Sequence, residues 1–98
     1  MRQAIVLNAQ DNVATAVANL EKDTVANVAF PGGTNAEVVI VENIPYGHKF
    51  ALREIKAGEA VIKYGEVIGL AMADIPAGAH VHIHNIESQR GRGDKQAI

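Results

Sequence analysis

No cysteine occurs among the 98 residues, which excludes disulfides, thiolate metal ligands and a cysteine nucleophile. Aromatic residues are scarce, at 4% of a chain that is 48% hydrophobic, so Val, Ile and Ala supply most of the apolar surface and favour a compact, β-leaning core. No charge of one sign dominates: the formal net charge is -2, which provides no basic patch across the body of the chain and argues against nucleic acid as a partner. Long apolar runs are missing as well. The opening stretch Met1-Arg2-Gln3-Ala4-Ile5-Val6-Leu7 is too short for a signal peptide or a membrane span, and a soluble, cytoplasmic protein is the expectation. A chain of this length is one domain near the lower end of the usual size range, too small to enclose a large active site unaided.

What is present, and unusual, is histidine at alternate positions in Ala79-His80-Val81-His82-Ile83-His84-Asn85-Ile86. As a β-strand this run places His80, His82 and His84 on one face and turns Val81 and Ile83 toward a core, which Ile86, where the run ends, is also expected to join. Imidazole is the commonest metal ligand and titrates near neutral pH, so such a face suits a metal or an anion. A solvent-facing strand also alternates polar with apolar residues, and the spacing fits that plainer reading equally well. His48 is the one further imidazole available as a ligand.

Along the chain, Ala4 to Leu7 reads as a first strand. Asp11 or Asn12 then caps a short helix, because Val13, Ala16, Val17 and Leu20 fall at helical spacing in an Ala-rich stretch. Val25 to Phe30 and Glu37 to Glu42 read as strands separated by the turn Pro31-Gly32-Gly33-Thr34-Asn35. That turn lacks the Lys and Ser/Thr of a phosphate loop. Val61 to Lys63 and Glu66 to Gly69 flank a turn at Gly65.

A repeat organises the second half. Ala51-Leu52-Arg53-Glu54-Ile55-Lys56-Ala57-Gly58-Glu59-Ala60-Val61 matches Ala71-Met72-Ala73-Asp74-Ile75-Pro76-Ala77-Gly78-Ala79-His80-Val81 at an offset of 20. A fainter copy runs from Ala16 to Asp23, with Asp23 where glycine stands in the others. Each copy implies a short helical turn, a tight bend at positive φ and then a strand, and the copies imply a pseudo-two-fold arrangement within one compact unit.

Gly47-His48-Lys49, Ala51 to Gly58, Val61-Ile62-Lys63-Tyr64-Gly65, Ile68-Gly69 and Ile75-x-Ala77-Gly78-x-x-Val81-His82-x-His84-Asn85 together resemble the amino-terminal SAF domain of the altronate and galactarate dehydratases, across nearly the whole chain. The resemblance implies a mostly β domain with short helices, a β-clip like that of type III antifreeze protein, over residues 1–88. It also implies a much larger catalytic region, fused or carried as a separate subunit, and the end of the chain at Ile98 leads to the expectation of the separate small subunit. The resemblance extends to the small subunit of sulfolactate sulfo-lyase, which eliminates sulfite in place of water.

Elimination from a hydroxy acid needs a base for the proton beside the carboxylate, a cation to stabilise the enediolate and an acid for the leaving group. On the resemblance, His48 of the Gly-His-Lys motif and Lys49 are the catalytic candidates, His82 and His84 the metal ligands, and Asn85 a substrate ligand or a turn cap. A divalent metal follows as cofactor, iron or manganese ahead of magnesium given imidazole ligands, held in part or mainly by the large subunit. The substrate expected is a sugar acid or related hydroxy acid. The tail over residues 89–98 lacks apolar periodicity and is expected to be mobile, with Arg90 and Arg92 as partner-docking residues. Two classes of function remain open: a lyase subunit inactive alone, and a non-catalytic carbohydrate-binding or assembly module that forms a homo-oligomer when isolated.

Overall fold

A computed structural model describes residues 2–88, with nine strands and, among the described residues, no helix. The strands are β1 (Ala4–Ile5), β2 (Val13–Ala16), β3 (Val25–Ala29), β4 (Asn35–Val39), β5 (Lys49–Ala51), β6 (Ala60–Lys63), β7 (Glu66–Ala71), β8 (His80–Val81) and β9 (Ile86–Ser88). Six of them form one sheet in the order β4-β3-β1-β2-β5-β8, and β6-β7-β9 form a second. All pairings are antiparallel except β1 with β3. This is the short-stranded, all-β architecture that a β-clip implies.

Most strands here are too short to hold register by themselves, so the connections between them carry much of the definition. Leu20 and Ile44 exchange backbone hydrogen bonds of 2.8 Å in both directions, and Ile55 and Ile75 do the same at 2.8 and 2.7 Å. Each of these residues opens a turn whose third position after it lies at positive φ: Asp23 at 70°, Gly47 at 84°, Gly58 at 86° and Gly78 at 82°. Asp is among the few side chains that tolerate this region, so the fainter copy ending at Asp23 is conformationally equivalent to the glycine copies.

The symmetry extends to neighbouring bonds. Gly58 N–H donates to Ala71 O and Gly78 N–H to Ala51 O, both at 2.8 Å, while Ala71 N–H and Ala51 N–H return bonds to Glu59 O and Ala79 O. In the first half, Gly47 N–H donates to Ala16 O and Asp23 N–H to Ile40 O. The side chains of Asn19 and Asn43 accept from the backbone N–H groups of Tyr46 and Lys22 respectively, each at 2.8 Å. The domain is therefore built on two pseudo-two-folds, one for each pair of turns. The copy at Ile44-Pro45-Tyr46-Gly47 is absent from the repeat as read in the sequence.

Two apolar clusters fill the interior. Phe50, Ile40, Ile44, Leu20 and Val28 belong to the first, and Ile55, Ile75, Val61, Val81 and Val13 to the second. Strands β2 and β5 lie between them, so that the paired residues Ala14 and Phe50 face one cluster while the paired Val13 and Ala51 face the other. Removal of a buried side chain such as Phe50, which is fully buried, costs about 3–5 kcal/mol.

The helix expected from Val13 to Leu20 is instead β2 and the approach to the Leu20 bridge. A strand buried on both faces shows no polar-apolar alternation, and its Val-Ala-Thr-Ala sequence then mimics helical spacing. Asp11 and Asn12 cap no helix. The Asp11 carboxylate accepts from the backbone N–H groups of Asn8, Tyr64 and Gly65, and Asn12 bonds Ala60 O and Ile62 N–H, pinning the β6–β7 hairpin to the first sheet. Tyr64 and Gly65, at φ 59° and 75°, give that hairpin the doubly positive pattern of a two-residue type I′ turn. The short helical turns expected within the repeats are also absent from the described residues; bends occupy those positions. Pro31 to Thr34 form the turn joining β3 to β4, and Asn35, expected within that turn, opens β4.

Gly78 and Gly58 occupy equivalent turns but different surroundings. A Cβ on Gly78 would lie 1.9 Å from Val39 O, whereas one on Gly58 meets nothing within 4 Å. Gly58→Ala is expected to cost about 1–2 kcal/mol, the left-handed backbone penalty. Gly78→Ala is expected to cost roughly 1–3 kcal/mol more from the forced shift of β4. Urea denaturation of both variants checks this, and equal losses would show that the turn does not abut β4.

Candidate metal centre

The four histidines converge where β5 pairs with β8. Register places Phe50 opposite His80 and Lys49 opposite Val81, which brings His48, just ahead of β5, alongside His82. The His48 and His82 rings stack with centroids 4.4 Å apart, His48 and His80 at 5.0 Å, and His80 and His82 at 5.3 Å with planes only 10° apart. His48 Nδ1 lies 2.8 Å from His80 Nε2, so one of the two nitrogens carries the shared proton and the other accepts it. His48, His80 and His82 each offer a ring nitrogen, all within 4.8 Å of one another.

This donor set fits a divalent transition ion. Ring nitrogens 2.8 Å apart correspond to adjacent positions around one ion at bond lengths near ~2.1 Å, once the shared proton has left. Three imidazole nitrogens are donors of the kind that borderline transition ions favour.

The local fold explains the convergence. Pro45-Tyr46-Gly47 turns the chain so that His48 enters β5, and Pro76-Ala77-Gly78 does the same for β8. His80 N–H donates to Glu42 Oε1 at 2.7 Å, which brings a carboxylate beside the imidazoles. After Val81 the strand ends. His82 to Asn85 form a turn closed by Asn85 N–H to His82 O at 3.1 Å, and Ile83 projects outward at 81% exposure. The continuous strand expected from His80 to Ile86, with Ile83 in the core, is thus corrected: only Val81 is fully buried, while Ile86 packs at the edge of the second cluster. The alternation of apolar residues was real, but a turn followed by β9 serves it as well as one strand does.

The Asn85 side chain accepts from His82 N–H at 3.0 Å and donates to His80 O at 2.8 Å. Both bonds fix the turn that carries His82, the capping alternative noted for this residue. His84 is exposed, its ring 5.4 Å from that of His80 and outside the three-residue group. Lys49 lines a separate cleft with Lys63 and Tyr64. Arg90 and Arg92 lie outside the described residues, as does the rest of the tail.

Sequence reasoning missed Glu42 and left His80 out of the ligand set. One signal was available: Ile44-Pro45-Tyr46-Gly47 and Ile75-Pro76-Ala77-Gly78 share an Ile-Pro-x-Gly pattern, and each is followed within two residues by a histidine, His48 and His80. Burial, followed by the charges of His48, His82 and His84, pulls the His80 pKa below its ordinary value, against a smaller upward pull from Glu42. For His82 the downward shift comes from burial, then His48, Lys49 and His84. Both imidazoles are therefore held in the neutral, ligating form at neutral pH.

Among known proteins, the family model of the altronate/galactarate dehydratase SAF domain matches residues 2–89. The chain is similar to the altronate dehydratase of Escherichia coli (strain K12), 48% identical over 83 residues, a stretch covering 85% of this chain and 16% of that protein. It is 36% identical over 88 residues to the altronate dehydratase of Bacillus subtilis (strain 168), covering 90% of this chain and 17% of that protein. It is also 52% identical over 48 residues to the (2R)-sulfolactate sulfo-lyase subunit alpha of Paracoccus pantotrophus, covering 49% of this chain and 72% of that subunit. The chain thus spans about one sixth of the altronate dehydratases it matches.

The lowered histidine pKa values set a direction for pH dependence. Relative to the unfolded chain, with its histidines near 6.5, the folded state binds fewer protons, so the stability is present above that pH and is lost as pH falls through the lower folded values. Thermal melting is expected to drop between about pH 7 and 5 with a slope that flattens in His80→Asn. An unchanged slope in that variant would show that His80 does not carry the pH dependence.

Proposed function

As the chain belongs to the altronate/galactarate dehydratase SAF domain family, we propose that it serves a lyase that eliminates a small group from a hydroxy acid, contributing its imidazoles to a site completed by a larger catalytic region. The observation that carries this reading is the grouping of His48, His80 and His82 with ligating atoms within 4.8 Å. The relatives support it at the coarser level, being dehydratases and a sulfo-lyase subunit of which this domain is one part.

In this reading His48, His80 and His82 hold a divalent ion, which when bound supplies Lewis-acid stabilisation to the carboxylate and enediolate of the substrate. The chain's own residues prepare that face. Asn85 and Glu42 fix the backbone at His80 and His82, keeping the rings stacked before any ligand arrives, as orienting contacts around a metal site commonly do. His84, exposed beside the group, is the imidazole left to carry a proton to or from the substrate. The proton abstracted beside the carboxylate and the departing hydroxide leave together as water. A domain of this size does not enclose such chemistry, so the large region supplies the remaining walls and the carboxylate-binding groups.

A second reading follows from the likeness to the sulfo-lyase alpha subunit, of which the matched stretch covers 72%. Here the same face serves a reaction in which sulfite leaves in place of hydroxide, and the domain works as a separate subunit.

Reconstitution with a large catalytic region of the altronate dehydratase type tests the proposal. His48→Ala and His82→Ala are expected to lower bound metal and turnover together by roughly tenfold or more. His84→Ala is expected to lower turnover while the metal content stays. If the assembled enzyme keeps its metal and its activity after His48 and His82 are both replaced, the site lies wholly in the partner and this domain only docks. The pure 98-residue chain is expected to show no turnover of altronate, galactarate or sulfolactate.

A further inference from the structure

On the far side of β5 from His48, a cleft of about 410 Å³ opens between the first sheet and the β6–β7 hairpin, lined by Lys49, Lys63, Tyr64, Glu66, Val67, Ile68 and Ser88. Its volume falls in the lower part of the range for small-ligand sites. We propose that this cleft binds a small monocarboxylate anion between the ammonium groups of Lys49 and Lys63.

Lys49 follows His48 directly but, opposite Val81 of the second cluster, belongs to the other face of β5. Both lysines are half-buried, and among the described residues neither forms an ion pair. Lys63 lies over the Tyr64 ring, 5.1 Å from its centroid, a contact that holds the ammonium at the cleft without neutralising it. The Asp11 carboxylate, bonded to the Tyr64-Gly65 turn, is occupied by three backbone N–H groups. An anion in the cleft would gain two charge-assisted hydrogen bonds and relieve the repulsion between the lysines.

The lining also selects the anion. Two ammonium groups and the Glu66 carboxylate leave a single positive charge among the lining side chains, which matches a monoanion and disfavours dianionic phosphate. Val67 and Ile68 offer apolar wall to the carbon skeleton that a carboxylate carries and an inorganic anion lacks. The inference stands apart from the proposed lyase role, because no histidine lines the cleft and no metal is needed there.

The test is a proton–nitrogen correlation titration of the metal-free chain with lactate, with inorganic phosphate and with sodium chloride at matched ionic strength. Lactate is expected to shift the amides of Lys49, Lys63, Tyr64 and Ile68 saturably, with phosphate weaker. Lys49→Gln and Lys63→Gln are each expected to weaken lactate binding roughly tenfold, the loss of one charge-assisted bond. If Lys49→Gln fails to fold, the loss in Lys63→Gln decides. Shifts that track ionic strength alone, that survive in the lysine variants, that centre on the histidines, or that favour phosphate over lactate would each overturn the proposal. Loss of the metal site leaves this result unchanged, so the two readings fail separately.

Discussion

Leu20 and Ile44 trade backbone hydrogen bonds, N–H to carbonyl in both directions, and Ile55 and Ile75 trade the same pair. Both exchanges sit inside the protein: Ile44, Ile55 and Ile75 are all but fully buried and Leu20 nearly so. A buried backbone group left unpaired is costly, and mutual pairing satisfies two such segments at once. With the bridges in place, the four turns at positive φ launch β3, β5, β6 and β8 in set directions, and strands as short as two residues need no register of their own.

The histidine site is a consequence of that arrangement. β5 and β8 are each delivered by one of these turns, from different pseudo-symmetric pairs, and meet as neighbours at one edge of the six-stranded sheet. Their pairing brings together residues 32 apart in sequence, His48 and His80, at hydrogen-bonding distance. Because the pair lies at a sheet edge, the imidazoles are sheltered on one side and open on the other. A face of that kind can hold an ion yet cannot enclose a substrate, which accords with the chain's covering only about one sixth of the altronate dehydratases it resembles.

The two sides of β5 carry different chemistry for the same reason. Successive side chains alternate, so His48 joins neutral, stacked imidazoles while Lys49 enters a cleft with a second cation. Packing of Val81 and Ala51 into the second cluster and Phe50 into the first keeps β5 from rolling and the two sites from merging.

Several features were legible in the amino-acid sequence because their causes are local. The turns at Gly58, Gly65 and Gly78, the strands over Val25 to Phe30 and around Tyr64-Gly65, and the equivalence of the Ala51 and Ala71 copies all rest on residues that demand one backbone conformation or one alternation. The family was legible too, from motifs spread along most of the chain. The stretch from Val13 to Leu20 was not, since a strand buried on both faces leaves no periodic signal and its alanines suit a helix equally well. Nor did His80-Val81-His82-Ile83-His84 reveal that a turn begins at His82, because Asn85 closes it through bonds to His80 and His82 that spacing does not encode. Local conformational preference is thus written residue by residue, whereas the joining of His48 to His80 and His82, the exclusion of His84 from that group and the placing of Lys49 beside Lys63 depend on which strands pair, and strand pairing is settled only by burial of the whole core.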